Sequence, residues 1–139
     1  MKDIEDVKEL IKHHEGYSDK IYYDSVKVLT GGYGHAFLVN SELPEHIWNL
    51  IFDHDFKQAV IDFYNLKILG LDHVRKAAII SMCYQLGLTK VLKFKKFLAA
   101  VKDEDWVRAS NEMLNSKWAE QTPNRVRDLS IMILTGDVE

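Results

Sequence analysis

Among 139 residues there is one cysteine, Cys83, and there are two prolines, Pro44 and Pro123. A lone thiol closes no internal disulfide. That excludes a small secreted fold held by staples and makes a reducing compartment the default place of synthesis. Long apolar runs are missing too: the longest, 77–84, falls far short of the ~18–20 residues that a membrane helix needs. The first twelve residues lack the apolar core and small-residue cleavage site of a signal peptide. The expectation is a soluble chain made in the cytoplasm, with no stable membrane association. A basic excess is also absent, since 18 Lys+Arg face 21 Asp+Glu for a net charge of −3; this argues against a nucleic-acid partner. Repeats, linkers and low-complexity tracts do not occur. At 47% hydrophobic and 28% charged, a chain of this length suits one domain with a substantial core.

What is present divides by period. Ile4, Val7, Leu10 and Ile11 fall at helical spacing, which predicts a helix over 3–14 with Asp3 as N-cap and Gly16 as a left-handed stop. Residues 20–23 and 27–30 are rich in β-branched and aromatic side chains. Asp24-Ser25 separates them, and Gly31, Gly32 and Gly34 follow, a pattern for a small antiparallel hairpin or three-stranded sheet. From Ser41 the chain reads as helix to its end. A long helix opens at 41–44, with Pro44 in its first turn. An apolar helix runs from an Asp72 cap to Gly87, shorter ones cover about 90–101 and 106–115, and Thr122-Pro123 opens a last one ending before Gly136. The fold class is α+β.

The segment from Glu15 to His35 carries candidate chemistry. Glu15 stands at a helix end, Asp24 in a turn nine residues on, and Thr30 at a strand end six residues beyond. Glycoside hydrolysis needs two carboxyl groups, one protonated to assist the leaving oxygen and one ionised to activate water or attack the sugar. The glycines would let backbone approach a polymer in a cleft. On spacing alone an equally simple reading stands: a solvated Glu at a helix end and an Asp that folds its own turn.

Glu15-x8-Asp24-x5-Thr30 followed by Gly-x-Gly-His resembles the active-site signature of the phage-type lysozymes, glycoside hydrolase family 24, the T-even phage enzymes in particular. Further on, Leu71-Asp72-His73-Val74-Arg75-Lys76-Ala77-Ala78, Tyr84-Gln85-Leu86-Gly87 and Trp118-Ala119-Glu120-Gln121-Thr122-Pro123-Asn124-Arg125 are similar to that family's C-terminal lobe, in the same order. The resemblance implies a single lysozyme-like domain. A small sheet lobe spans about 12–58, a helical lobe spans about 1–11 and 59–139, and a long helix joins them. It implies that Glu15 is the general acid, Asp24 the carboxylate that activates water, and Thr30 the hydroxyl that holds this water. It also implies inversion, with carboxyl groups ~6.5–9.5 Å apart. Ala36, Tyr84 and Gln85 match saccharide contacts, His35 matches a histidine paired with Asp55, and Arg125 matches a basic residue that reaches the general acid. An adjacent guanidinium favours the ionised carboxylate, whereas a general acid must hold its proton; Arg125 would then be displaced or shared when sugar binds. The implied partner is a peptidoglycan glycan strand, cut between N-acetylmuramic acid and N-acetylglucosamine. No cofactor or metal is implied. The family is usually monomeric and reaches the wall through a separate holin-type pore. Two alternatives share the fold: a lytic transglycosylase, which needs only one catalytic acid, and a glycan-binding module without catalysis.

Departures from the family pattern are local. The stretch between His35 and Asp55 is shorter by roughly one helix, which bears on the number of sugar subsites. Phe97 and Glu112 occupy two saccharide-contact positions with different chemistry. His13-His14 precede Glu15; His14 either tunes its neighbour or ends the helix. Adjacent histidines point ~100° apart on a helix and lack the i, i+4 spacing of a zinc pair. Cys83, Trp106 and Trp118 fit the core, while Trp48 fits either core or cleft rim.

The net charge conceals a division. Residues 1–70 hold 7 basic and 12 acidic side chains, and residues 71–139 hold 11 and 9. From Arg75 to Lys102 there are seven bases and no acid. Such a run is either an ordinary solvated face or a local positive surface that attracts an anionic wall polymer.

Overall fold

The computed structural model describes residues 4–138, so the Asp3 cap expected from the sequence lies outside the described residues. The chain runs α1 (Ile4–Glu15), β1 (Ser18–Tyr23), β2 (Leu29–Gly32), β3 (His35–Ala36), α2 (Glu45–Asn65), α3 (His73–Leu86), α4 (Leu88–Leu92), α5 (Lys95–Lys102), α6 (Trp106–Leu114), α7 (Lys117–Gln121) and α8 (Pro123–Thr135). The α+β class is therefore observed. Two compact units divide the chain, one up to Glu45 and one from His46 onward.

In the first unit α1 stops where its glycine demands. Gly16 takes φ 72°, and its N–H donates to the Lys12 carbonyl at 2.9 Å. The three strands form an antiparallel sheet in the order β1-β2-β3, with Tyr22 opposite Thr30 and Thr30 opposite Ala36. The second strand begins two residues later than the sequence predicts, because Asp24 extends the turn. Its Oδ1 accepts from the N–H groups of Val26 (2.9 Å) and Val28 (2.8 Å), and Lys27 is forced to φ 66°. A carboxylate that binds backbone two and four residues on competes with strand pairing there.

In the second unit α3 supplies buried Ala78, Ile79, Met82 and Cys83 to a core completed by Phe97, Val101, Met113, Trp118, Val126 and Ile133. Its ends match the sequence reading: Asp72 caps the Arg75 N–H, and the Gly87 N–H returns to the Cys83 carbonyl. Burial, with the nearby Asp62 charge adding to it, pushes the Cys83 thiol up to about 12, so it packs as an inert core group. Elsewhere the helices are more broken than expected. The segment at 90–101 becomes α4 and α5, interrupted at Phe94 (ψ 59°). An extra short helix, α7, starts where Ser116 caps the Ala119 N–H. Pro123 takes the first turn of α8 as predicted, but Thr122 makes no side-chain cap; its hydroxyl donates to the Trp118 carbonyl instead.

One side chain ties the ends of this body together. Arg75 donates through Nε to the Ile133 carbonyl (2.6 Å) and through Nη2 to the Leu134 carbonyl (3.1 Å). Its Nη1 pairs with Asp72 at 3.1 Å, and its guanidinium lies 4.0 Å above the Trp106 ring. The cation thus meets the last carbonyls of α8, where the helix dipole is negative. Gly136, in left-handed conformation, leaves the space; a Cβ there would meet Arg75 Nη1 at 3.0 Å. Arg75 therefore belongs to the packing of the body and not to an outward basic face. Lys76 is similarly engaged, donating to the Tyr64 hydroxyl at 2.7 Å.

Candidate active site

The first unit holds Glu15, Asp24, Thr30, His35 and Ala36. Glu15 is the last residue of α1, and its carboxylate lies against the β2–β3 turn. A Cβ built on Gly34 would fall 2.5 Å from Glu15 Oε2 and 3.1 Å from its Cδ. Gly34 also has φ +74°, a conformation that L side chains resist. The missing side chain therefore houses the carboxylate. Gly31 is used in the same way, since a Cβ there would meet Phe37 at 3.3 Å. The expectation that all three glycines open backbone to a polymer is corrected at these two positions, where the protein's own side chains fill the space. Gly32 alone has nothing within 4 Å.

Thr30 lies in the middle of β2, only 5% exposed, and donates its hydroxyl proton to the Val28 carbonyl at 2.9 Å. Ala36 faces it across the ladder, and His35 faces Gly31. The His35 ring meets Phe37 edge-on at 4.8 Å. Asp24 serves the turn through Oδ1, which leaves Oδ2 outside that turn network. Asp24 thus does fold its own turn, and the same unit holds the Glu15 carboxyl group and the Thr30 hydroxyl inside β2.

The second unit holds the remaining candidates. Tyr84 and Arg125 line one apolar cavity of about 470 Å³, with Phe52, Phe56 and Ile80. Arg125 Nη2 donates to the Ser81 carbonyl (3.2 Å) and hydroxyl (3.0 Å). Asp55 sits on α2 beside His54, with Nδ1 at 3.4 Å. Gln85 is occupied at both ends of its amide: Oε1 accepts from Trp118 Nε1 at 2.9 Å and Nε2 donates to the Thr122 hydroxyl at 3.3 Å. Phe97 is 1% exposed, which makes it core and unable to offer its ring to a sugar. Trp48 is 51% exposed, so the core reading of that residue falls. Among the described residues no group of three or more His, Cys, Asp or Glu side chains is placed to hold a metal ion.

Sequence reasoning missed the service of Gly34 to Glu15, although Gly-x-Gly-His beside a candidate acid was the available signal. It also missed the Gln85–Trp118–Thr122 link, which joins residues 33 and 37 positions apart.

The chain is similar to two proteins of Dictyostelium discoideum. One is Probable T4-type lysozyme 1, 29% identical over 163 aligned positions with 96% of each chain covered. The other is Probable T4-type lysozyme 2, 27% identical with 98% of each covered. It also matches the Pre-baseplate central spike protein Gp5 of Enterobacteria phage T4, 25% identical over 94% of this chain and 28% of that one. The family model described as phage lysozyme matches residues 12–130, a span that contains Glu15, Asp24, Thr30 and Arg125, and the chain therefore belongs to the phage lysozyme family.

Proposed function

We propose that this protein is a peptidoglycan hydrolase that cuts the β-1,4 bond between N-acetylmuramic acid and N-acetylglucosamine with inversion. The observation that carries the reading is the Glu15 carboxylate seated in the space left by Gly34, in a unit that also holds Asp24 and Thr30. In this reading Glu15 protonates the leaving oxygen, Asp24 takes a proton from water, and the Thr30 oxygen orients that water. Ala36, Tyr84 and Gln85 are assigned to the sugar side, with Gln85 acting through the neighbours it holds. His35, Asp55 and Arg125 are supporting residues. The protein works as a monomer, is made in a bacterial cytoplasm and lyses the wall after release through a separate pore.

A lytic transglycosylase is the second reading, and one observation favours it: Asp24 Oδ1 is already engaged by two backbone N–H groups. Product analysis separates the two. Inverting hydrolysis yields reducing ends, seen first as the α-anomer by NMR within the earliest minutes of digestion. Anhydro ends would replace the leading reading with the second.

Gly34→Ala tests the seat itself. A left-handed backbone costs an L residue about 1–2 kcal/mol, and displacement of Glu15 is expected to lower kcat by about tenfold to a hundredfold. Gly32→Ala is the matched control, because it shares the positive φ (59°) but its Cβ meets nothing. Equal activity losses in the two variants would reduce the effect to backbone strain.

A further inference from the structure

The run of seven bases from Arg75 to Lys102 separates in space. Arg75 is spent inside the body and Lys76 is engaged by the Tyr64 hydroxyl, as described above. Lys93, Lys95 and Lys96 instead gather with Lys117, a residue outside that run, around one cavity of about 440 Å³. Phe97 forms its buried side, and Glu112 is its one acidic lining residue. Four ammonium groups against one carboxylate leave an excess of three positive charges. Among the described residues, the ion pairs engage none of these lysines.

The arrangement works against the local helix. Lys95 and Lys96 occupy the first turn of α5, where no acid is present and the N-cap residue, Phe94, supplies no side-chain hydrogen bond. A helix N-terminus carries partial positive charge and favours anions, so bases placed there repel it. Sequences that oppose their own local structure in this way mark functional positions, and a bound anion would reverse the sign of the effect.

We propose that this groove binds a phosphate-bearing polymer of the bacterial wall; the choice of the wall as its source rests on the function proposed above. Phosphate is favoured because the lining cations are all lysines. Lysine is a standard point-charge binder of phosphate oxygens, and several ammonium groups around one groove suit a ligand whose charge is spread along its length. A polymer is favoured because an excess of three charges matches a run of about three singly charged phosphodiesters and not one group. Glu112 faces the same groove and weakens the attraction.

The test measures binding of long-chain inorganic polyphosphate to the intact protein at low and moderate salt. The variant Lys93→Gln/Lys95→Gln/Lys96→Gln is expected to bind at least about tenfold more weakly, with a shallower salt dependence. The control Lys90→Gln/Lys102→Gln, drawn from the same stretch but outside the groove, is expected to stay within about twofold, and Glu112→Gln to bind about threefold more tightly. Equal losses in the triple variant and the control would overturn the groove. Wall fragments supply the second arm. The triple variant should clear walls that carry a covalent phosphodiester polymer more slowly than wild type, and should match wild type once that polymer is stripped. Equal slowing on both preparations would assign the lysines to carboxylates of the peptide stems and overturn the phosphate assignment. If wild type clears neither wall while polyphosphate still binds, the proposed hydrolase activity fails and the groove stands.

Discussion

Glu15→Gln is expected to lower peptidoglycan clearing by about 10²–10⁴-fold, the usual worth of a positioned general acid, while leaving the thermal midpoint near that of wild type. Glutamine keeps the shape that fits beside Gly34 and removes only the transferable proton. Asp24→Asn is the companion variant, and its design follows from the turn. Asn retains an oxygen able to accept from the Val26 and Val28 N–H groups, so the strand entry survives and a loss of rate reports on chemistry. Asp24→Ala would remove both together and decide nothing. A loss in Asp24→Asn comparable with that of Glu15→Gln supports water activation. Full activity in Asp24→Asn would confine Asp24 to the turn and move the reaction to a single acid. Turbidity loss of wall suspensions at saturating enzyme reads all three proteins.

Arg75→Ala is expected to produce the largest loss of stability, about 2–4 kcal/mol, because it removes charge-assisted hydrogen bonds to two carbonyls and a cation's contact with an aromatic face at once. Its side chain is 14% exposed, against 42% for Asp72. The half-exposed ion pair is therefore the smaller part, and the bonds to the Ile133 and Leu134 carbonyls and the contact with Trp106 the larger. The thermal midpoint should fall by about 10–15 °C. Arg75→Lys should recover only a fraction, since an ammonium cannot span two carbonyls and a carboxylate while lying flat on a ring. The same cluster fixes an acid dependence. Partial burial pushes the Asp72 carboxyl up, but hydrogen bonds from the Arg75 backbone and guanidinium outweigh it and hold the group below its ordinary 3.8. Because the folded value lies below the unfolded one, the stabilisation is complete above 3.8 and drains away as pH falls through the folded value. Calorimetric midpoints of Asp72→Asn should lack this part of the acid decline; a decline identical with that of wild type would remove Asp72 from the account.

Local chemistry explains which features were legible in advance. Gly16, Asp72, Gly87, Pro123 and Gly136 each act on backbone within four residues, and each ends or starts a helix where the sequence predicts. The Glu15–Asp24–Thr30 spacing was readable for the same reason, since all three fall within sixteen residues of chain. What escaped notice depends on partners distant in sequence. Arg75 looked like one more surface base because its acceptors lie 58 and 59 residues away. Lys117 looked unrelated to Lys93, Lys95 and Lys96 until α6 brought it beside them. Phe97 was placed by family position at a sugar contact, and only packing shows that it is core. The break at Phe94 was hidden because residues on both sides have good helix propensity, and propensity yields to packing.

The Arg75 clamp also says something about timing. Its guanidinium must wait for carbonyl oxygens that are added to the chain 58 and 59 residues later. During synthesis α3 can form from its own caps, but it cannot be fastened to α8 until residues 133 and 134 have emerged. Contacts that close so large a loop come late and slowly. A nascent chain stalled before that point already holds the complete Glu15–Thr30 segment, while the Arg75 clamp closes only with the last turn of α8.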